Sequence, residues 1–306
     1  MKENRNNMKY NNYKRTYSRP SRQDLVEVME DTMEVIKKGY YELPGLSRPV
    51  DFRPQLKRDK KWTVIFDNVP ALYPHLSPFL SAPKVYVQSI DVLEKAAEFG
   101  EDGVCLNMAN AFHPGGGVLR GAMAQEEEIC RRSTLTWSIF RFSEELKNLV
   151  GFKWDVYSSY PIKLYGAIWS PSVAIIKSRT YELLPEIYET NVITAAALCH
   201  PKLNDKGEMS QSDCDIMSEK IRTVLRIAAL KSKRKLILGA WGCGAFCCPP
   251  LQIANLFKAV LEEKEFEGWF EEICFAVLDN PHRAENNYEI FSSVFGTLDQ
   301  FEICDK

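Results

Sequence analysis

Apolar residues recur along this chain in two alternating rhythms. Short apolar runs predict strands over 85–89, 104–108, 169–176, 192–197, 235–239 and 273–278. Apolar positions three and four apart predict helices over 92–99, 124–142, 217–230, 251–263 and 286–294. An earlier helix is expected over 24–38, where Leu25, Val28, Met29, Met33 and Ile36 share a face and Gly39 supplies a stop. The stretch 40–83 breaks the rhythm with Pro44, Pro49, Pro54, Pro70, Pro74, Pro78 and Pro83, and only 62–66 reads as a strand. Strands alternating with helices predict an α/β fold, a three-layer α/β/α arrangement with a mixed, largely parallel sheet. An N-terminal helical and irregular accessory segment is expected to pack on it.

The expected division is a disordered polar tail over 1–22, the accessory segment over 23–83 and a catalytic domain over 84–306. The tail carries Lys2, Arg5, Lys9, Lys14, Arg15, Arg19 and Arg22, and a solvating role is the plainer reading beside a nucleic-acid arm. At 306 residues, with 45% hydrophobic and 26% charged residues, a sizeable core is affordable in a globular, soluble chain. A net charge of -2 gives no global attraction to nucleic acid or anionic membrane, so no stable partner of either kind is expected. No apolar run is long enough for a membrane helix, and the N-terminal residues lack the apolar stretch of a secretory signal. Nine cysteines, an odd number mostly in apolar surroundings, read as free thiols in a reducing cytoplasm. Cys243, Cys247 and Cys248, with His113 as a conceivable fourth ligand, lack the paired spacing of a zinc site, so no metal is expected.

Two glycine-rich segments follow predicted strands, where ligands of open α/β sheets bind. The first holds Gly115, Gly116, Gly117 and Val118; the second runs through Gly239, Gly242, Cys243, Gly244, Ala245 and Phe246. Neither has dinucleotide or Walker spacing. Backbone N–H groups in such turns form concave anion sites, and two together suit a diphosphate. Each is also readable as an ordinary tight turn. Gln125, Glu126, Glu127 and Glu128 open the helix after the first segment, which points to acid/base chemistry beside an anion site. Surface ion pairs of Glu127 with Arg131 and Glu128 with Arg132 would account for the glutamates as well. Asn107 and Asn110 suit sugar hydroxyls or turn chemistry. Phe246 suits stacking on a sugar or burial in the core, and His113 suits a base or a turn.

Gly115-Gly116-Gly117, seven residues, then Gln125-Glu126-Glu127 resembles the signature of poly(ADP-ribose) glycohydrolases. Asn110-Ala-Phe-His-Pro-Gly-Gly-Gly and Gly239-Ala-Trp-Gly-Cys-Gly-Ala-Phe246 resemble the microbial-type branch in particular, and the likeness runs from about 84 to 295. The resemblance implies a macrodomain fold, ADP-ribose binding and hydrolysis of the ribose–ribose O-glycosidic bond of poly(ADP-ribose) on modified proteins, without a cofactor. It implies Glu127 as the catalytic acid, Glu126 on ribose hydroxyls, and Asn110 and Phe246 on the terminal ribose. It implies diphosphate contacts from the N–H groups of 115–118 and 242–246. Glu128 extends the usual glutamate pair and leaves the register open. A mono-ADP-ribosyl hydrolase acting on protein or nucleic acid, and a non-catalytic ADP-ribose reader, are the rival readings. The expected location is cytoplasmic, or nuclear in a eukaryotic cell.

Overall fold

The computed structural model describes residues 20–73, 82–152, 160–278 and 286–298. The expected polar tail lies, through residue 19, outside the described residues. Helix α1 (Arg22–Lys38) starts at Ser21, whose side chain caps the Asp24 N–H, and ends at Gly39. A short hairpin, β1 (Tyr40–Tyr41) and β2 (Val50–Asp51), leads into α2 (Arg53–Trp62) and β3 (Val64–Phe66). There follow β4 (Lys84–Gln88), α3 (Val92–Phe99), β5 (Gly103–Met108), α4 (Gln125–Arg132) and α5 (Leu135–Phe140). A long hairpin, β6 (Ala167–Lys177) and β7 (Leu183–Ala195), precedes α6 (Gln211–Leu230) and β8 (Lys235–Leu238). The described chain closes with α7 (Pro250–Leu261), β9 (Glu272–Ala276) and α8 (Asn287–Phe295).

Among the described residues, seven strands form one sheet in the order β3-β6-β7-β5-β8-β9-β4. The pairings from β7 through β4 are parallel; β3 with β6 and β6 with β7 are antiparallel. Side chains alternate between two apolar layers. Val104 and Leu106 face the side packed by α6 and α7, while Cys105 faces the side packed by α3, α4 and α5. Leu236, Ile237 and Leu238 divide in the same way. Covered on both faces, these strands read as continuous apolar runs, which is why they were legible. The outcome is the expected mixed α/β sandwich.

Several expectations are corrected. The single helix expected over 124–142 is broken at Ser133 and Thr134. Thr134 donates its N–H to the Ala174 carbonyl (2.9 Å), and its hydroxyl accepts from the Ala174 N–H (2.9 Å). Pairing with β6 outweighs helix continuation there. Trp62 ends α2 instead of opening a strand. β7 begins at Leu183, well before the expected 192, and α6 begins at Gln211, not 217. Within the segment expected as accessory, β3 pairs directly with β6 at the sheet edge. α1 is also bound into the body: the Thr32 hydroxyl donates to the Arg131 carbonyl (2.7 Å), and buried Lys177 pairs with Asp31 (2.8 Å).

Candidate active site

β5 and β8 are parallel neighbours near the middle of the sheet. The first glycine segment follows β5 and the second follows β8, so both lie at the same edge. Gly239 meets Met108 there: a Cβ on Gly239 would stand 3.2 Å from the methionine methyl.

α4 starts beneath the first segment, and its first three side chains hold that segment in place. Gln125 accepts from the Met108 N–H (2.9 Å) and donates to the Leu106 carbonyl (2.6 Å), clamping the helix to β5. Glu126 accepts from the N–H groups of Asn110 (2.8 Å) and Gly115 (3.1 Å), with Asn107 Nδ2 at 3.4 Å. Glu127 accepts from the N–H groups of Gly117 (2.8 Å) and Ala124 (3.0 Å). Gly116, with φ +58°, lies against both carboxyl groups.

The glutamates are therefore not a solvated face. Glu126 is 3% exposed and Glu127 is 7% exposed, so Glu127 is the more accessible of the two. Burial pushes the Glu126 carboxyl from 4.5 up to about 8; hydrogen bonding to Asn110 opposes this and the charge of Glu127 adds to it. Glu126 thus retains its proton at neutral pH. Tyr160 stands near enough that Glu126 helps hold its hydroxyl well above 10, after burial as the main cause.

Glu128 points elsewhere. It pairs with buried Arg131 (2.8 Å) and accepts from the Tyr181 hydroxyl (2.9 Å). Arg132 pairs with Asp91 (2.9 Å). The alternative reading, surface pairs of Glu127 with Arg131 and Glu128 with Arg132, is not what forms. The two carboxyl groups at the glycine turn are those of Glu126 and Glu127.

The two glycine segments differ in what they offer a ligand. In the first, every N–H from Gly115 to Val118 already has an acceptor: Glu126, the His113 carbonyl, Glu127 and the Gly115 carbonyl, in that order. In the second, Gly242 has φ +80°, and the Cys248 N–H closes onto its carbonyl (3.0 Å). The Cys243 N–H is taken by the Ala240 carbonyl (3.1 Å). Gly244 and Ala245 are exposed, and the N–H groups of Gly244, Ala245 and Phe246 meet no acceptor among the described residues. Phe246 is half-buried against the core, and its carbonyl accepts from His200 (2.8 Å).

Asn110 shapes its own turn, its Oδ1 accepting from the N–H groups of Phe112 (2.9 Å) and His113 (3.0 Å). Buried Asn107 reaches Thr194 on β7 (3.2 Å), a contact that the sequence marked only by one hydroxyl inside an apolar strand. The thiols of Cys243, Cys247 and Cys248 turn toward three different carbonyls. No group of three or more His, Cys, Asp or Glu is placed to hold a metal among the described residues, and no disulfide joins the described cysteines. No helix among the described residues is long and apolar enough to cross a membrane.

The family model for the microbial-type PARG catalytic domain matches residues 29–178. No curated protein matches the chain. Poly(ADP-ribose) glycohydrolase from Thermomonospora curvata is similar at TM-score 0.72 and 26% identity, over 89% of this chain and 100% of that one. The same enzyme bound to the inhibitor ADP-HPD gives TM-score 0.70 and 27% identity, over 89% and 99% of the two chains. Poly(ADP-ribose) glycohydrolase from Deinococcus radiodurans in complex with ADP-ribose gives TM-score 0.61 and 31% identity, over 84% and 100%. A glycohydrolase of mixed α/β fold is the class these features define. Within it, the chain belongs to the microbial-type poly(ADP-ribose) glycohydrolase family.

Proposed function

We propose that this protein hydrolyses the O-glycosidic ribose–ribose bonds of poly(ADP-ribose) and releases ADP-ribose. The observation that carries the reading is the buried Glu126–Glu127 pair packed on Gly116, in the segment after β5, with the uncommitted N–H groups of Gly244, Ala245 and Phe246 in the segment after the neighbouring β8. Those three N–H groups suit phosphate oxygens. The first segment supports the diphosphate less directly, because its N–H groups hold the two carboxylates and the turn. Phe246 offers a ring face, and Asn110 an amide, to the terminal ribose. Glu126, fixed by two backbone N–H groups, keeps the turn in place.

In the proposed reaction Glu127 gives its proton to the departing ribose oxygen as the anomeric carbon–oxygen bond breaks. The anomeric carbon becomes oxocarbenium-like. Water then adds to that carbon, and its proton passes to the Glu127 carboxylate, restoring the acid. General acid catalysis contributes on the order of 10²–10⁴-fold. The fold reads as a macrodomain, and the division at 83–84 is kept as a proposal for where the catalytic body begins. The free cysteines suit a reducing cytoplasm.

Incubation with auto-modified poly(ADP-ribose) and with singly modified protein, followed by identification of the products, tests the reading. Released ADP-ribose from the polymer is the expected result. Binding of ADP-ribose with no product from either substrate would replace it with a reader function.

A further inference from the structure

A cavity of about 380 Å³ opens on the flank of the first glycine turn. Gly116 and Gly117 form part of its wall, and the Gly117 N–H holds Glu127 Oε1 at 2.8 Å. None of Gly242 to Phe246 borders it. The cavity and the uncommitted N–H groups of the second turn are therefore separate places, and the cavity adjoins the turn that holds Glu127. The diphosphate reading leaves the cavity unused.

Its lining is of mixed character. Phe112 stands at the rim 68% exposed, while its backbone is fixed by the Asn110 side chain. Arg120 and, from a different segment of the chain, Ser143, Glu144 and Glu145 line it. Glu144 is also paired with Lys147 (2.7 Å). Two carboxylates disfavour a phosphate. A neutral ring with donor and acceptor edges fits better: a purine amino group meets a carboxylate, and its ring nitrogens accept from a cation. An exposed aromatic face adds stacking that any base can use. The volume lies in the usual range for small-ligand sites.

We infer that this cavity binds the adenosine on the leaving side of the scissile bond, with Phe112 stacking on its base. The inference rests on the proposed polymer hydrolysis. In a ribose–ribose bond of poly(ADP-ribose), the oxygen that leaves the anomeric carbon is a hydroxyl of the next unit's adenosine. A proton delivered by Glu127 thus goes to an atom attached to a nucleoside, and the cavity adjoins the turn that holds Glu127. A substrate lacking that nucleoside loses the contact, so the cavity favours the polymer over singly modified protein.

Phe112→Ala, Phe112→Trp and the unaltered protein separate the outcomes. Phe112→Ala should raise KM for polymer about 10-fold, the scale of one lost base stack. Its ADP-ribose dissociation constant should stay unchanged, and Phe112→Trp should restore KM. An unchanged polymer KM overturns the inference, as does an equal loss of ADP-ribose affinity, which would place Phe112 in the diphosphate site. A second arm does not need turnover. Adenosine is titrated onto unaltered and Phe112→Ala protein already saturated with ADP-ribose. Binding that is lost in Phe112→Ala supports the subsite even if the polymer is not cleaved; no binding at millimolar adenosine, or equal binding to both proteins, overturns it.

Discussion

Gly116 and Glu127 touch in a way that admits no side chain between them. A Cβ on Gly116 would stand 2.5 Å from Glu127 Oε1 and 3.1 Å from Glu126 Oε2. The residue also sits at φ +58°, a conformation that costs an L-residue about 1–2 kcal/mol. Gly116→Ala should therefore lower the thermal unfolding temperature modestly and abolish most turnover, because the methyl must displace the carboxyl groups. Calorimetric melting and a product assay on the same preparation check both effects. Full activity would mean that the carboxylates can shift without consequence.

Glu127→Gln keeps the size and the acceptor for the Gly117 N–H, gives up the acceptor for the Ala124 N–H, and removes the proton that is delivered. Turnover should fall at least 100-fold, as expected for a lost general acid. Affinity for ADP-ribose, measured by calorimetry, should hold. Turnover near that of the unaltered protein would assign the acid elsewhere.

Glu128 makes the opposite prediction. Its carboxylate serves Arg131 and Tyr181, not the glycine turn. Glu128→Gln should cost about 1.5–3 kcal/mol of stability, the scale of a hydrogen bond to a charged group. Turnover per folded molecule should be unchanged. Urea denaturation with parallel rate measurements separates it from Glu127→Gln; a large loss of turnover in Glu128→Gln would reopen the register.

The strands that carry the site were legible because burial on both faces leaves them as unbroken apolar runs, as at 104–106 and 236–238. The glycine turns were legible because each follows such a run. The burial of Glu126 and Glu127 was not legible. Two arginines lie four residues beyond Glu127 and Glu128, and the pattern equally describes a wet helix face. What binds the pair is upstream backbone, the N–H groups of Asn110 and Gly115 for Glu126 and of Gly117 and Ala124 for Glu127. α2 was missed for a related reason. Arg53–Trp62 buries only Leu56 and Asp59, so it has no apolar stripe, and Pro54 reads as a breaker where it is a helix start. The early half of β7 escaped because its side chains are half-exposed and include Pro185 and Glu186.

The raised Glu126 carboxyl gives a pH dependence with a definite sign. The folded state holds this proton up to about pH 8, whereas the unfolded chain releases it near 4.5. The contribution to stability is complete below 4.5 and is lost as pH rises through 8. Asp59, raised to about 7 by burial and opposed by Arg141, acts in the same direction. Glu126→Gln should flatten part of the decline between pH 4.5 and 8, leaving the share of Asp59, when unfolding is followed by denaturant titration. A stability curve identical in both proteins would show that Glu126 does not hold the proton.

The second turn can be tested without touching the carboxylates. Ala245 is exposed and lies between Gly244 and Phe246, whose N–H groups, like its own, meet no acceptor among the described residues. Ala245→Asp places a negative charge beside the proposed diphosphate at a position open enough to accept the longer side chain. Like-charge juxtaposition in a binding site costs several kcal/mol, so ADP-ribose affinity should fall at least about 10-fold. Ala245→Asn, similar in size but uncharged, should bind far more tightly than Ala245→Asp. Added salt should narrow the gap between the two, since the repulsion is screened. Calorimetric titration of both variants at low and high ionic strength reads the effect, and unchanged melting temperatures separate it from misfolding. If Asp and Asn weaken binding equally, the side chain obstructs and the turn is not an anion cradle.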